Sequence, residues 1–261
     1  MEIEDPLGRD FKGNTFLVKN QTPLNRIPLN SSSRLSGGTV QFRIRIKMEK
    51  EIKSIDYKIP LKHQLCSEVS FSSRYQMPLV QPYRGEIPEK ILSFNRARGH
   101  APNGAAVHFY IADSHFECVW SRPEVYLHLL QRFPFVISTD YSLYSDMLLP
   151  EVMWNTFRNK LLCAWWQKNG VNAIPNVSWC KEWSYDFVLE GYPKESIISI
   201  NSTGLGTDPQ SKALWIKGYE RVLEVLKPVH ILRYGATQEG EDVSISTYYK
   251  NDNYNGATYG R

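Results

Sequence analysis

Apolar and polar positions change rhythm along this chain. From residue 107 onward, short apolar runs alternate with segments whose apolar positions recur every three or four residues. "VHFYIAD" (107–113) reads as a strand and "RPEVYLHLLQRF" (122–133) as a helix. "FVISTD" (135–140) is a strand, and "PEVMWNTFRNKLLCAWWQKN" (150–169) a helix closed by Gly170, the usual left-handed C-cap residue. "VNAIPNVSW" (171–179) is a strand and "SYDFVLEG" (184–191) a short helix. "SIISINS" (196–202) is a strand, "PQSKALWIKGYERVLEVLK" (209–227) a helix, and "VHILRYG" (229–235) a strand. Strands alternating with helices predict an α/β fold, a parallel sheet with helical crossovers. The apolar, two-sided strands fit a sheet covered on both faces. An open doubly wound sheet and an incomplete barrel-like sheet both satisfy this pattern.

The ends differ from this regular block. Residues 1–39 are rich in Asn, Ser, Gly and Pro and read as an extended or disordered arm. "TVQFRIRIKM" (39–48) alternates apolar and basic residues, the pattern of a half-buried strand. Its Arg and Lys residues either protect an edge or face phosphate. Residues 49–106 carry repeated prolines and suggest loops around short elements. The tail, 236–261, is polar and rich in Tyr, Asn and Gly, with one expected strand near "VSISTYY". The expected organisation is an arm (1–39), one α/β domain (40–235) and a flexible tail (236–261).

In such sheets a ligand site lies at the carboxyl ends of the strands, where every strand-to-helix loop opens. The polar residues ending the strands are Asp113, Asp140, Asn176 with Ser178, Asn201 with Ser202, and Tyr234. "STDYSLYSD" (138–146) carries the densest set. Asp140 closes an apolar strand, so burial should raise its pKa, which suits a general base or a metal ligand. An aspartate that braces the loop by accepting backbone N–H bonds explains it equally well. Asp146, just ahead of a helix, reads as a residue that favours the helix N-terminus. Asp113, His115 and Glu117 would share one face if the strand ran on, but no second histidine motif supports a metal site, and none is assigned. Asp113 and Glu117 remain candidate assistants of Asp140. Tyr141, Tyr144, Asn155, Arg158, Asn176, Ser178, Trp179 and Asn201 are the candidate ligand-binding residues. Arg158 suits a phosphate or carboxylate, or a salt bridge to a neighbouring acid. Trp154, Phe157, Leu161 and Trp165 recur at helical spacing and form a core stripe. "NSTGLGTD" (201–208) resembles a phosphate loop but lacks the glycine and lysine spacing of the known ones.

Composition narrows the class. The 261 residues are 42% hydrophobic and 13% aromatic, ample for a sizeable core, and the net charge of +4 lacks the dense basic stripe of a dedicated duplex-DNA binder. The four cysteines form no C-x-x-C pair, which speaks against structural zinc and for a reducing, cytoplasmic setting. The N-terminus is acidic without an apolar run, so no signal peptide is expected. Apolar runs fall short of the ~18 residues a membrane span needs, so no membrane partner is expected.

"FVISTDYSLYSDMLLPEVMWNTFRN", "IPNVSW", "DFVLEGYPKESIISINSTG" and "LKPVHILRYG" together resemble a family of bacterial, prophage and mobile-element proteins known as a domain of unknown function. The shared pattern falls on Ser138, Asp140, Ser142, Leu143, Tyr144, Asp146, Trp154, Asn155, Arg158, Pro175, Ser178, Trp179 and Gly235, across residues 107–235. Asp113, Phe116, Glu117 and Trp120 match a second motif, from which His115 departs. Leu148 and Leu149 stand where the family has proline, with Pro150 displaced. The resemblance implies a cytoplasmic protein carried by phages or integrating elements; it implies no activity and no cofactor. The expectation is a phage or mobile-element protein that acts on, or binds, a nucleotide or nucleic acid at the polar rim. The alternatives are a non-catalytic module that engages a host or phage protein, with tail tyrosines such as Tyr248, Tyr249, Tyr254 and Tyr259 docking on it, or a virion-associated structural protein.

Overall fold

The computed structural model describes residues 60–99, 102 and 104–250. The arm and the alternating segment at 39–48 lie outside the described residues, as do Tyr254 and Tyr259 in the tail. After a short helix α1 (His63–Cys66), the chain lays down β1 (Ile91–Ser93), α2 (Phe94–Ala97) and β2 (Ala106–His108). Next come a 3-10 turn (Asp113–His115), α3 (Glu117–Ser121), α4 (Pro123–Leu130), β3 (Phe135–Ile137) and the long α5 (Leu149–Lys168). β4 (Ala173–Ile174), a 3-10 turn (Glu182–Ser184), α6 (Tyr185–Leu189) and β5 (Ile197–Asn201) follow. The last elements are α7 (Pro209–Leu226), β6 (His230–Tyr234), a 3-10 turn (Val243–Ile245) and β7 (Ser246–Tyr249).

The strands pair in sequence order and all in parallel: β1 to β4 form one ladder and β5 to β7 another. A parallel bridge between Asn176 and Ser199 joins the two ladders. There, Ser199 N–H donates to Pro175 O at 2.8 Å and Val177 N–H donates to Ser199 O at 2.8 Å. An order without reversal, crossed with one hand, puts the crossover helices on one face. The other face must then bury itself by curling. The curl is visible in ring contacts. Tyr110 just past β2 stacks on Tyr234 of β6 at 4.7 Å between centroids, and His108 lies 4.9 Å from the same ring. Four strand steps in a flat sheet would span roughly 19 Å. The fold is therefore an incomplete barrel rather than a doubly wound sheet. Among the described residues β7 does not pair with β1, although Tyr249 Oη donates to Pro88 O just ahead of β1.

The side-chain alternation follows from this curl. Ala106, Tyr110, Ile137, Ile174, Ile197, Leu232, Tyr234 and Tyr249 fill the concave interior with Tyr83. Tyr83 closes the amino-terminal end: its carbonyl accepts Ile197 N–H at 2.9 Å and its N–H donates to Ser196 Oγ at 2.8 Å. The opposite faces of the strands carry Val107, Phe109 and Val136, then Ile198, Ile200 and Ile231, packed beneath the helices. Gly235 ends β6 at φ +94°, and a Cβ there would meet Ser202 Oγ at 2.7 Å, so the strand end requires glycine.

Several sequence expectations shift at element ends. The strand expected over 107–113 stops at His108, because the chain turns into a 3-10 turn at Asp113. The helix expected over 122–133 is α4, Pro123–Leu130, and the short α3 precedes it across Arg122. The strand expected over 171–179 shortens to two residues plus the bridge at Asn176. The expected tail strand is β7, an integral member of the sheet. It brings Tyr249 into the interior, while half-buried Tyr248 donates its hydroxyl to Glu241 at 3.2 Å.

Beneath α7 lies a fully buried ion pair. Arg233 Nε donates to Glu241 Oε2 at 2.7 Å and its NH2 to Oε1 at 2.8 Å, while its guanidinium sits 4.6 Å from the Trp215 ring. Both side chains are at most 1% exposed. The bidentate geometry satisfies the charge that burial would otherwise leave uncompensated. Glu241→Ala should lower unfolding free energy by about 3–5 kcal/mol in chemical denaturation; a loss under about 1 kcal/mol would contradict this placement.

Candidate functional site

The carboxyl ends of β2 to β6 converge on Asp140. Its Oδ1 accepts Asn176 Nδ2–H at 2.8 Å and its Oδ2 accepts Asn201 Nδ2–H at 3.0 Å. Each asparagine is itself locked. Asn176 Oδ1 accepts the Tyr110 hydroxyl at 2.9 Å, its backbone N–H donates to Ser138 Oγ at 2.8 Å, and its carbonyl accepts the Tyr192 hydroxyl at 2.6 Å. Asn201 Oδ1 accepts Thr203 N–H at 2.6 Å, and its carbonyl accepts the Trp215 indole N–H at 3.2 Å. Tyr110 Oη also meets Ser199 Oγ at 2.5 Å. Protein surrounds the carboxyl, yet Asp140 keeps a partly exposed surface at the rim.

Two effects compete on this carboxyl. Burial pushes its pKa up, to about 6, and the nearby Asp113 charge adds to the rise; the Asn201 and Asn176 amides oppose it by stabilising the anion. Burial wins. His108 behaves in the opposite sense, lowered to about 3 by burial and secondarily by the Arg96 charge, so its imidazole is neutral. Its Nδ1 accepts Tyr110 N–H at 3.2 Å, which leaves the proton on Nε2.

A second network braces the loop beyond Asp140. Asp113 accepts Ser142 Oγ–H at 3.0 Å and Ser142 N–H at 3.2 Å. Asn155 Nδ2 donates to Ser142 O at 2.8 Å, and Asn159 brackets Tyr141 through its backbone N–H (2.8 Å) and carbonyl (3.1 Å). Arg158 pairs with Glu117 at 2.9 Å and donates to Asn155 Oδ1 at 2.6 Å. Its guanidinium lies 3.6 Å from the Tyr141 ring centroid.

The sequence-derived candidates thus separate into groups. Asp140, Asn176 and Asn201 come together at one point. Asp113 and Glu117 do not share a strand face with His115, because the 3-10 turn replaces the expected strand; each is spent on the loop network. Tyr141 is fully buried against Phe116, and Asn155 and Arg158 are turned to the same network. Arg158 takes the salt-bridge alternative. Tyr144 is 62% exposed on the rim loop. Ser178 and Trp179 are half-buried beyond the bridge. The Trp179 ring lies 5.3 Å from Trp215 and covers Gly218, where a Cβ would collide with its indole. At the start of α5 the observed side-chain cap is not Asp146. That role falls to Glu151, which accepts Leu148 N–H at 2.8 Å. In the loop at 201–208, Asp208 accepts Ser211 N–H at 2.8 Å and occupies the start of α7 with negative charge, which disfavours phosphate there. Among the described residues no group of three or more His, Cys, Asp or Glu side chains is placed to hold a metal ion. No described helix is long and apolar enough to cross a membrane.

Sequence reasoning missed Tyr110, Ser199 and Tyr192, which hold Asn176. The signal for the first two was available: the strand period of two carries Ala106 inward to Tyr110 and Ile197 inward to Ser199. It also missed Lys160. This buried lysine donates to Phe187 O, Val188 O and Glu190 O at 3.0, 2.9 and 2.6 Å. It sits 4.6 Å from the Tyr192 ring. Burial holds its pKa well below the usual lysine range.

Residues 69–250, which contain this whole constellation, match the family model described as a domain of unknown function, DUF4417. The chain belongs to that family. It is 30% identical over 177 residues to the Gene 1 protein of Mycobacterium phage D29, covering 67% of this chain and 65% of that protein. It is 29% identical over 177 residues to the Gene 1 protein of Mycobacterium phage L5, covering 67% of this chain and 77% of that protein. The chain therefore matches just under two thirds of the D29 protein's length. No solved structure matches it. Both relatives are phage proteins, and the span matched by the family model includes Asp113, Asp140, Asn176 and Asn201.

The raised pKa has a stability consequence with a definite sign. The folded protein binds the Asp140 proton more tightly than the unfolded chain does. The group's contribution is fully present below the ordinary carboxylate pKa near 4 and is lost as pH rises through about 6. Between pH 4 and 7 the wild type should lose about 2–3 kcal/mol relative to Asp140→Asn, at roughly 1.4 kcal/mol per pKa unit. Paired denaturation curves at several pH values check this, and a stability difference independent of pH would contradict it.

Proposed function

We propose that this protein binds a nucleotide, or acts on one, at the carboxyl rim of its incomplete barrel, with Asp140 as the group that faces the ligand. The observation that carries the reading is the Asp140 carboxylate itself. Both oxygens are oriented by locked amides, its pKa is displaced toward neutrality, and part of its surface stays open. A desolvated carboxylate held by two amides, on a residue partly exposed at the rim, is suited to accept a proton or a ligand hydrogen bond. Tyr144, 62% exposed on the adjoining loop, offers a flat face for a base. Phosphate would lie toward solvent, because Arg158 is committed to Glu117 and Tyr141.

A second reading, a docking surface for a host or phage protein, is supported by the same loop. Leu148 is 69% exposed and Leu149 46%, beside Tyr144. Large apolar side chains grouped at a surface favour protein contact.

The two readings part on one pair of variants. Asp140→Asn should abolish nucleotide-induced thermal stabilisation at pH 7.5 while the protein stays folded. A Leu148→Ser/Leu149→Ser double variant should leave that stabilisation intact. Full nucleotide binding by Asp140→Asn, or no response of the wild type to any nucleotide at millimolar concentration, would contradict the first reading.

A further inference from the structure

Arg74, Arg158, Arg221 and Arg233 each spend their charge on a carboxylate. Arg98, the C-cap of α2, and Arg122, between α3 and α4, pair with no carboxylate among the described residues. Both are exposed. Both donate through NH2 to one oxygen, the Tyr126 hydroxyl of α4, Arg122 doing so at 3.4 Å. Arg98 NH2 also donates to Cys118 Sγ at 3.1 Å. The Tyr126 ring centroid lies 5.0 Å from the Arg98 guanidinium and 5.8 Å from that of Arg122. Phe94 lies 5.7 Å from Arg98 on α2. Aromatic rings against the guanidiniums hold both forks in place.

Two positive charges therefore converge on one phenol oxygen. Like charges this close repel, and a neutral hydroxyl does not compensate them. The surroundings add to the excess. Lys62, 7% exposed, donates to Ser121 O at 3.0 Å, one residue ahead of Arg122. Arg122 is also the N-cap of α4, where no side chain caps the first turn, so the positive end of the helix dipole lies there as well. Glu124, in that first turn, forms no ion pair with either arginine among the described residues. The cluster is matched by an anion of two charges with acceptors for two forks. A carboxylate has two oxygens in one plane, enough for one guanidinium. A phosphate monoester has three terminal oxygens and about two negative charges at neutral pH, enough for both.

We propose that Arg98 and Arg122 form a clamp for the phosphate group of a small phosphate monoester, which bridges the two guanidiniums on the solvent side of Tyr126. The clamp stands on the helices that follow β1 and β2 and does not rest on the reading of Asp140. The net charge of +4 favours a small monoester over a polynucleotide backbone, which needs a longer basic track.

Calorimetric titration of the full chain at pH 7.5 and low salt tests the clamp. The probes are inorganic phosphate and glycerol 3-phosphate, a monoester without a base. Both should bind the wild type, and Arg98→Gln and Arg122→Gln should each weaken binding about ten- to a hundredfold. Arg98→Lys keeps the charge and loses the fork, so its affinity should fall between wild type and Arg98→Gln. Without phosphate neither glutamine variant should melt earlier than the wild type, since each removes a like-charge repulsion. No binding by the wild type, or binding that both glutamine variants retain, would overturn the clamp. So would an equal response to potassium chloride at matched ionic strength, or a lower melting temperature in both glutamine variants without phosphate. Tighter binding of a 5′-hydroxyl oligonucleotide than of either monoester, lost in Arg98→Gln, would overturn the monoester assignment in favour of a nucleic-acid backbone.

Discussion

Asn176 is the residue on which the structure turns. Its backbone bridges to Ser199 and joins two parallel ladders into one sheet. Its side chain holds Asp140 with one end and Tyr110 with the other. A single amide can do this only because it carries donors and an acceptor at fixed separation. Ladder continuity and carboxylate orientation are thus the same constraint. The strand is short here, two residues of regular pairing, and side-chain bonds from Ser138 and Tyr192 replace the missing ladder bonds.

The curl of the sheet explains why polar groups gather inside. Strands in unbroken order send their helices to one face, so the concave face must pack against itself. Toward the amino-terminal end it does so with Ile137, Ile174, Ile197 and Tyr83. Toward the carboxyl end the same alternation supplies Tyr110, Thr139, Asn176, Ser199 and Asn201, which satisfy one another incompletely. Thr139 Oγ1 is left without a partner at that end. The helix layer carries its own buried charges, Lys160 on three carbonyls and Arg233 on Glu241, and these tie loops to helices well away from Asp140.

Much of this was legible in the sequence, for physical reasons. Helices α5 and α7 and strands β3, β5 and β6 were read within a few residues, because long apolar periodicity and glycine or proline stops are local signals. The convergence of Asp140, Asn176 and Asn201 followed from strand polarity alone. Which of its two expected roles Arg158 takes, and the burial of Tyr141, were not legible: which side of α5 meets the loop depends on Asn155 and Asn159 reaching across to residues 141 and 142. Lys160 carried no local signal, because its three acceptors come from a helix end some thirty residues later. The choice between an open sheet and a curled one needed the contact of Tyr110 with Tyr234, a long-range contact with no local signature.

The account stands on Asp140 being a desolvated carboxylate held by two amides. Carboxyl carbon-13 NMR titration, with Asp140 assigned by comparison with Asp140→Asn, measures this most directly. The expected result is an apparent pKa of about 6 in the wild type, moving higher in Asn176→Ala as a bond to the anion is lost. A titration near the ordinary aspartate value of about 3.9, unchanged by Asn176→Ala, would contradict it.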